Sequence, residues 1–319
     1  GHLVFSGYDT TQLAKEHGTP SMLMDEMLIR NRCREYQNAM KQYLPAGSRP
    51  LYASKALSVK RMYELMAQEN MGIDVVSSGE LYTAVRAGFP MENAFFHGNS
   101  KTDADIHFAI QHGIGYFVCD NADELDAIDR EAAQKGICQK VLLRLSPGID
   151  PHTHEKINTG RIDSKFGVAV ETGQAEQLIL QALERKHIRL EGYHCHIGSQ
   201  IFDIDPFELA AQVMLDLYKQ IKDETGAELD ELNLGGGFGI KYVDGDTPIP
   251  YGEYMKNVSA VVKAETERLG LKMPFILIEP GRSVVGAAGL TLYTAGTRKE
   301  IKGFKNYVSI DGGMPDNPR

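Results

Sequence analysis

Hydrophobic and polar positions alternate in a repeating rhythm along most of the chain. Short runs of apolar and β-prone residues predict strands, and longer stretches with apolar residues at three- and four-residue spacing predict amphipathic helices. The predicted strands cover residues 49–54, 72–77, 93–98, 115–120, 140–146, 189–199, 228–237 and 274–280. Helix patterns between them include residues 121–136 and 205–226. Strands alternating with helices in this way favour a (β/α)8 TIM barrel, with a doubly wound parallel sheet as the structural alternative.

The rhythm stops after the last of these strands. Residues 290–312 predict two strands with a charged, glycine-containing link, which is typical of the start of a β-rich domain. We therefore expect three parts: an N-terminal segment over residues 1–25 that packs with the β-rich domain, a barrel over 26–284, and the start of the β-rich domain over 285–319.

Composition narrows the class of protein. The chain has 319 residues, is 42% apolar and carries a formal net charge of −9, which argues against a nucleic-acid-binding surface. It contains no apolar run of membrane-spanning length, and its first residues lack a secretion signal pattern. The four scattered cysteines predict reduced thiols in a cytoplasmic protein.

Polar residues and glycines collect where the predicted strands end, which is where barrel enzymes place their catalytic groups. These residues are Lys55, Asp74, Glu80, Arg144, His194, His196, Ser199, Gly235, Gly236, Gly237, Glu279, Gly281 and Arg282. Each alone is more often structural, since a strand-end lysine can extend to solvent and a glycine run can simply turn the chain. Their joint placement favours a functional site. His97 and Asp120 also end strands and are weaker candidates to line it.

The last two strand ends suggest a phosphate site. Barrels commonly bind phosphate through the loops that follow strands 7 and 8, and glycines let backbone N–H groups approach an anion closely. The stretches "LGGGFG" (234–239) and "EPGR" (279–282) occupy these places, and Ser199 offers a hydroxyl donor. A phosphosugar would fit these features equally well.

Lys55 and Glu279 narrow the ligand further. A lysine whose pKa is lowered in a buried site can react with an aldehyde. Pyridoxal 5′-phosphate (PLP) carries both an aldehyde and a phosphate, and its pyridine nitrogen needs an acidic partner, a place that Glu279 suits. His196 could stack on the pyridine ring.

Several motifs occur together along the chain. They are "YASKA" (52–56), "GIDVVSSGEL" (72–81), "HTHEKINTGRIDSKFG" (152–167), "HCHIGSQ" (194–200), "LGGGFG", "EPGR" and "DGGMPDNPR" (311–319). On these motifs the chain resembles the PLP-dependent decarboxylases of the alanine-racemase fold, and within them the diaminopimelate decarboxylases. The resemblance runs from about residue 9 to the last residue.

The resemblance implies a role for each matching residue. Lys55 would bind the cofactor covalently, with His196 and Glu279 as the other catalytic residues, and Arg282 and Arg319 would bind substrate carboxylates. From the residues alone, no metal is expected: His152 and His154 are given structural or loop roles because no further ligand cluster with suitable spacing accompanies them. The cofactor-binding set would be Lys55, Asp74, Glu80, Arg144, His196, Ser199, Gly235, Gly236, Gly237, Glu279, Gly281 and Arg282. Asp74 and Glu80 would pair with the Lys55 amine, and Arg144 would lie near the phenolic oxygen of the cofactor.

The resemblance also implies an activity, namely the decarboxylation of meso-2,6-diaminopimelate to L-lysine and CO₂ by a homodimer with shared active sites. Three alternatives stay open. The first is a related decarboxylase that acts on another amino acid, on a carrier-bound substrate or on carboxynorspermidine. The second is an amino-acid racemase, and the third is an inactive PLP-binding homologue. Glu279 argues against a racemase, because racemases of this fold place arginine at the pyridine nitrogen.

The chain departs from the family pattern in two places. Leu57 occupies a position where asparagine is commoner, and the family's further β-domain motifs, including a Cys–Glu pair, are absent before Arg319.

Overall fold

The computed structural model describes residues 1–149 and 165–316. The chain divides into two compact units, one formed by Gly1–Ile29 and Gly286–Arg319 and the other by Arg30–Val285. The strands are β1 (Val4–Phe5), β2 (Tyr8–Asp9), β3 (Ser21–Met24), β4 (Arg49–Ala53), β5 (Gly72–Val75), β6 (Ala94–Phe96), β7 (Tyr116–Cys119), β8 (Gln139–Ser146), β9 (Val168–Ala169), β10 (Ile188–His194), β11 (Glu231–Asn233), β12 (Phe275–Ile278), β13 (Gly289–Leu292), β14 (Ala295–Ile301) and β15 (Lys305–Ile310). The helices are α1 (Thr10–His17), α2 (Glu26–Tyr43), α3 (Lys60–Gln68), α4 (Ser78–Arg86), α5 (Asp103–Gln111), α6 (Ala122–Lys135), α7 (Gln174–Glu184), α8 (Asp205–Thr225), α9 (Tyr251–Leu269) and α10 (Arg282–Val285).

The unit Arg30–Val285 contains a closed parallel barrel. Its strands run in the order β4, β5, β6, β7, β8, β10, β11 and β12, and β12 pairs with β4 to close the sheet. The short strand β9 pairs with β8 in addition. The predicted barrel is therefore confirmed, and the doubly wound alternative is wrong because an open sheet would leave β4 and β12 unpaired with each other.

Helices α4 and α6 begin shortly after strands β5 and β7, and polar residues there cap them. The Ser77 hydroxyl accepts a hydrogen bond from the Glu80 N–H at the start of α4, and the Asn121 side chain accepts one from the Glu124 N–H at the start of α6. Such caps satisfy backbone donors that a helix start leaves without partners. The sequence patterns over 121–136 and 205–226 correspond to α6 and α8.

The amino end of the barrel holds a buried polar cluster. The Tyr116 hydroxyl donates to Glu231 Oε1 at 2.8 Å, and the Arg49 guanidinium lies 5.5 Å from the centre of the Phe95 ring and 5.7 Å from that of Tyr116. These groups cover the barrel core on the side away from the strand carboxyl ends. Because barrel enzymes keep their chemistry at the other end, we attribute a stabilising role to this cluster.

The second unit is built from antiparallel strand pairs. Strand β3 pairs with β13, and β14 pairs with β15 as a hairpin. The sequence predicted two strands over 290–312, and the structure places β14 and β15 there together with most of β13. Among the described residues, no helix combines the length and the apolar composition that crossing a membrane requires.

Candidate active site

A cavity of about 310 Å³ opens at the carboxyl ends of the barrel strands. Its lining includes six residues that the sequence grouped as a site, together with the weaker candidate His97: Lys55, Asp74, Arg144, His194, His196 and Glu279. The remaining lining residues are Val76, Gly98, Asn99 and Phe166. The volume suits a small ligand. Parallel strands thus bring residues far apart in sequence to one rim, as the strand-end pattern predicted.

Glu279 is buried directly after β12 and is held by several groups. Its Oε1 accepts a hydrogen bond from Asn233 Nδ2 at 2.7 Å and lies 2.9 Å from His97 Nε2. Its Oε2 accepts a hydrogen bond from His194 Nε2 at 3.2 Å. Burial alone would raise the pKa of Glu279, but the facing imidazoles of His97 and His194 lower it well below its usual value. The carboxylate is therefore anionic, as a partner for a protonated ring nitrogen must be.

The two histidines and Glu279 could also be considered as metal ligands. Their donor atoms lie within 4.8 Å of one another, and two imidazoles with one carboxylate make a set that zinc accepts. The hydrogen bonds from Asn233 and His194 already fix both carboxylate oxygens, however, so the arrangement is that of a positioned acid. We assign no metal site among the described residues.

Lys55 lies in a short 3₁₀ turn, Ser54–Ala56, that follows β4. We expected a buried lysine, but the residue is exposed on the cavity wall, whereas Asp74 opposite it is buried. That expectation is wrong because the chain leaves the barrel wall at Ser54, one residue before the lysine. The amine is thus accessible to a carbonyl ligand in the cavity.

The predicted pairing of Asp74 and Glu80 with the Lys55 amine is not formed. Neither carboxylate makes an ion pair with Lys55 in the part of the chain that the structure describes. Burial raises the pKa of Asp74, and nearby Glu279 raises it further against the opposing charge of His97. Glu80 accepts a hydrogen bond from the Val76 N–H at 2.7 Å, and burial raises its pKa as well. The charge of Lys55 opposes the increase in pKa of both carboxyl groups, although it forms no ion pair with either of them among the described residues.

Arg144 reaches the cavity from β8. Its guanidinium carbon lies 4.5 Å from the centre of the Phe166 ring, and its Nε lies 3.9 Å from Asp120 Oδ1. The same Asp120 oxygen accepts a hydrogen bond from the Gly167 N–H at 3.0 Å. Asp120, a weaker candidate from the sequence, thus fixes the loop that brings Phe166 against Arg144.

The glycine loop after β11 packs tightly beneath the cavity. A Cβ on Gly236 would lie 2.1 Å from the Glu279 carbonyl oxygen, and one on Gly237 would lie 2.4 Å from the Gly198 carbonyl oxygen. The Gly235 N–H donates to Asn233 Oδ1 at 2.8 Å, and the Gly236 N–H donates to His196 Nδ1 at 3.3 Å. The loop therefore needs glycine at these positions, and two of its amides already bind protein atoms.

Ser199 and Arg282 lie beside each other at the edge of this region. Arg282 Nη2 donates to Ser199 Oγ at 3.2 Å, and Nη1 donates to the Tyr242 hydroxyl at 2.7 Å. The Tyr242 ring also faces the guanidinium, with 5.7 Å between its centre and Cζ. Tyr242 was not predicted, since it lies in a polar loop without a motif. Arg319, His152 and His154 lie outside the described residues.

These features can be tested against the expected cofactor. A cavity with an accessible amine, an anionic carboxylate and a loop that a single Cβ would fill matches a small aldehyde that has a basic ring nitrogen and a phosphate. Asp74 Oδ1 and His194 Nδ1 are buried polar atoms that lack hydrogen-bond partners among the described residues. The residues present therefore fit PLP.

The sequence did not predict Asn233 as a site residue, nor the contact that His194 makes with Glu279. Asn233 lies inside the predicted seventh strand, and only its polarity between Leu232 and Leu234 marks it. His194 was noted as a strand-end residue, but its contact with Glu279 joins positions far apart in sequence. No local sequence pattern predicts either contact, because each depends on which strands become neighbours in the barrel.

Comparison with known proteins identifies the family. The model of the "Pyridoxal-dependent decarboxylase, pyridoxal binding domain" matches residues 27–286. The diaminopimelate decarboxylase of Bacillus methanolicus is 47% identical over 319 residues, which are 100% of this chain and 74% of the relative. That of Bacillus subtilis (strain 168) is 46% identical over 321 residues, covering 100% of this chain and 72% of the relative.

Solved structures agree with these relatives. A diaminopimelate decarboxylase from M. jannaschii in complex with L-lysine superposes with a TM-score of 0.91 at 35% identity, covering 100% of this chain and 73% of that one. The Helicobacter pylori enzyme with L-lysine gives a TM-score of 0.86 at 29% identity, with coverages of 96% and 73%. The chain therefore belongs to the diaminopimelate decarboxylase family of pyridoxal-dependent decarboxylases.

Proposed function

We propose that this chain catalyses the PLP-dependent decarboxylation of meso-2,6-diaminopimelate to L-lysine and CO₂. The observation that carries the proposal is the buried, anionic Glu279 facing the same cavity as the accessible Lys55. The relatives of highest identity described above bear the name diaminopimelate decarboxylase, and two similar structures hold L-lysine, the product of this reaction.

The reacting end of the cofactor would be handled by Lys55, His196 and Glu279. When bound, PLP supplies an electron sink for the pair of electrons that decarboxylation leaves behind. Glu279 would hold a proton on the ring nitrogen through its negative charge. Lys55 would bind the cofactor aldehyde and be displaced by the substrate amine. His196, fixed by the Gly236 N–H, would lie against the ring face.

The other end of the cofactor would lie at the glycine loops. Since the amides of Gly235 and Gly236 already bind protein atoms, the N–H groups of Gly237, Gly281 and Arg282 are the donors we assign to the phosphate, together with the Ser199 hydroxyl. The glycines Gly235 and Gly236 would contribute by keeping the loop close to the barrel. Arg144 would interact with the phenolic oxygen, and Asp74 and Glu80 would interact with the released Lys55 amine.

The substrate would be held by arginines. The Arg282 guanidinium already lies between Ser199 and Tyr242, and a carboxylate would suit its planar, paired donors. We assign Arg319 the same task on the strength of the family resemblance. In this proposal residues 26–284 form the PLP-binding barrel, and residues 285–319 begin a second domain. We further propose a cytoplasmic homodimer with shared active sites.

The test is CO₂ release from a panel of amino acids: meso-diaminopimelate, L-lysine, L-ornithine and carboxynorspermidine. We expect turnover with meso-diaminopimelate, none in a Lys55→Ala variant, and unchanged turnover in a Lys60→Ala control, since the Lys60 side chain is 61% exposed. Borohydride reduction followed by peptide mass analysis should place the cofactor on Lys55. Full turnover by Lys55→Ala, or preference for another substrate, would refute the proposal.

A further inference from the structure

The Glu279 carboxylate is held from both oxygens by two buried donors on neighbouring barrel strands. Asn233 Nδ2 donates to Oε1 at 2.7 Å from the end of β11, and His194 Nε2 contacts Oε2 at 3.2 Å from the end of β10. Both donor residues have no exposed surface. Such a pair fixes the orientation of the carboxylate and leaves its position little freedom.

The hydrogen-bond pattern gives the protonation state of His194. Its Nε2 faces a carboxylate and must carry a proton to donate. Its Nδ1 is buried and has no hydrogen-bond partner among the described residues. A protonated Nδ1 would be an unsatisfied buried donor, so the neutral form with the proton on Nε2 is favoured. Burial accordingly lowers the pKa of His194 to about 4.

Asn233 also connects the acid to the glycine loop. Its Oδ1 accepts a hydrogen bond from the Gly235 N–H at 2.8 Å, while its Nδ2 binds Glu279. The Glu279 N–H in turn donates to the Gly235 carbonyl at 2.8 Å. One side chain therefore spans the segment that carries the ring-nitrogen partner and the segment that carries the phosphate loop. The distance between these two cofactor contacts is fixed by the protein.

A neutral clamp has an electrostatic consequence. A cationic partner such as arginine would neutralise Glu279, and a neutral donor orients the carboxylate without cancelling its charge. The other charged or titratable groups that line the cavity are Lys55, Asp74, His97, Arg144 and His196. His97 Nε2 also lies 2.9 Å from Glu279 Oε1, so this buried imidazole is a third neighbour of the carboxylate beside the hydrogen bonds from Asn233 and His194.

We infer that Asn233 and His194 are positioning residues for the cofactor: they hold Glu279 with two neutral donors, so that its charge remains available to the pyridine nitrogen. This inference rests on the proposed function, because it needs PLP in the cavity. It predicts that the two residues act on the cofactor through one atom, the ring nitrogen.

A cofactor analogue isolates that atom. We would measure the affinity of the cofactor-free protein for PLP and for 1-deaza-PLP, in which carbon replaces the ring nitrogen, by equilibrium dialysis. His194→Leu removes the donor, and His194→Gln keeps an amide donor in its place. Asn233→Asp keeps the acceptor for Gly235, replaces the donor with an oxygen and preserves the shape of the side chain. Circular dichroism would verify that each variant is folded.

We expect His194→Leu and Asn233→Asp to weaken PLP binding at least about tenfold, as the loss of a hydrogen bond to a charged group implies. Their affinity for 1-deaza-PLP should stay within about twofold of the wild-type affinity. This analogue has no ring nitrogen, so Glu279 forms no hydrogen bond with it in any of the proteins. His194→Gln should recover most of the affinity for PLP.

The outcomes separate the two proposals. If the variants lose PLP and 1-deaza-PLP affinity equally, or if they bind PLP as the wild type does, this inference is overturned while the proposed function stands. If the wild-type protein binds PLP no better than 1-deaza-PLP, Glu279 does not act on the ring nitrogen and the inference also falls. If the wild type binds no PLP at all, both proposals fail.

Discussion

His194 should make the stability of the barrel unit depend on pH. Burial lowers the pKa of this imidazole from 6.5 to about 4, because a charge on the fully buried ring would lose most of its solvation. Between these two values the unfolded chain binds a proton at His194 that the folded chain does not bind. The contribution of His194 to stability is therefore complete above pH 6.5 and decreases as the pH falls toward 4.

The size of the effect follows from linkage. One proton of difference changes the free energy of unfolding by about 1.4 kcal/mol per pH unit. When the pH falls from 7 to 5, the unfolded chain is protonated at His194 over about 1.5 pH units, from 6.5 down to 5. His194 alone should therefore lower the free energy of unfolding by roughly 2 kcal/mol at pH 5. A glutamine at this position keeps an N–H for Glu279 and cannot take up a proton.

The assay is urea unfolding of the cofactor-free chain at pH 7 and pH 5, followed by far-ultraviolet circular dichroism. The loss of stability between the two pH values should be smaller in His194→Gln than in the wild type by about 2 kcal/mol. His107→Gln, at a side chain that is 51% exposed, controls for the change of residue type. Equal pH dependence in the wild type and His194→Gln would show that the buried imidazole accepts a proton, against the reasoning above.

Three further substitutions test other parts of the structure. Gly236→Ala places a Cβ 2.1 Å from the Glu279 carbonyl oxygen, so we expect a loss of roughly 1–3 kcal/mol in thermal unfolding together with weaker PLP binding. Gly252→Ala, where the Cβ meets no atom within 4 Å, is the control, and equal behaviour of the two variants would contradict the expectation. Tyr242→Phe removes the 2.7 Å hydrogen bond to Arg282, which should raise KM for diaminopimelate several-fold and leave kcat nearly unchanged in steady-state assays; an unchanged KM would separate Tyr242 from substrate binding. Tyr116→Phe removes the donor to buried Glu231 at the far end of the barrel, so urea unfolding should show a loss of about 1–3 kcal/mol with no change in kcat, and a fall in kcat would mean that the two ends are coupled.

The sequence predicted the barrel and part of the cavity wall because both depend on local patterns. Lys55, Asp74, Arg144, His196 and Glu279 each lie at or near a strand end, and parallel strands bring such residues to one rim. These positions can be predicted from the strand boundaries alone, without knowledge of side-chain contacts.

The hydrogen bonds inside the rim could not be predicted in the same way. Whether Asn233 faces the cavity or the helices depends on strand register, and its contact with Glu279 depends on β11 and β12 being neighbours. Lys55 is exposed because β4 ends at Ala53 and a short turn begins at Ser54, whereas the predicted strand continued through residue 54.

The distribution of the cavity residues over the barrel links cofactor loading to folding. Lys55 follows β4, the first barrel strand, and Glu279 follows β12, the last one. A growing chain therefore contains Lys55 long before it contains Glu279, and a barrel that has not closed has no assembled cavity. Bound PLP in turn favours the closed state by mass action, by about 2.7 kcal/mol when its concentration is a hundred times the dissociation constant. The free energy of unfolding of the barrel should therefore increase with the concentration of PLP.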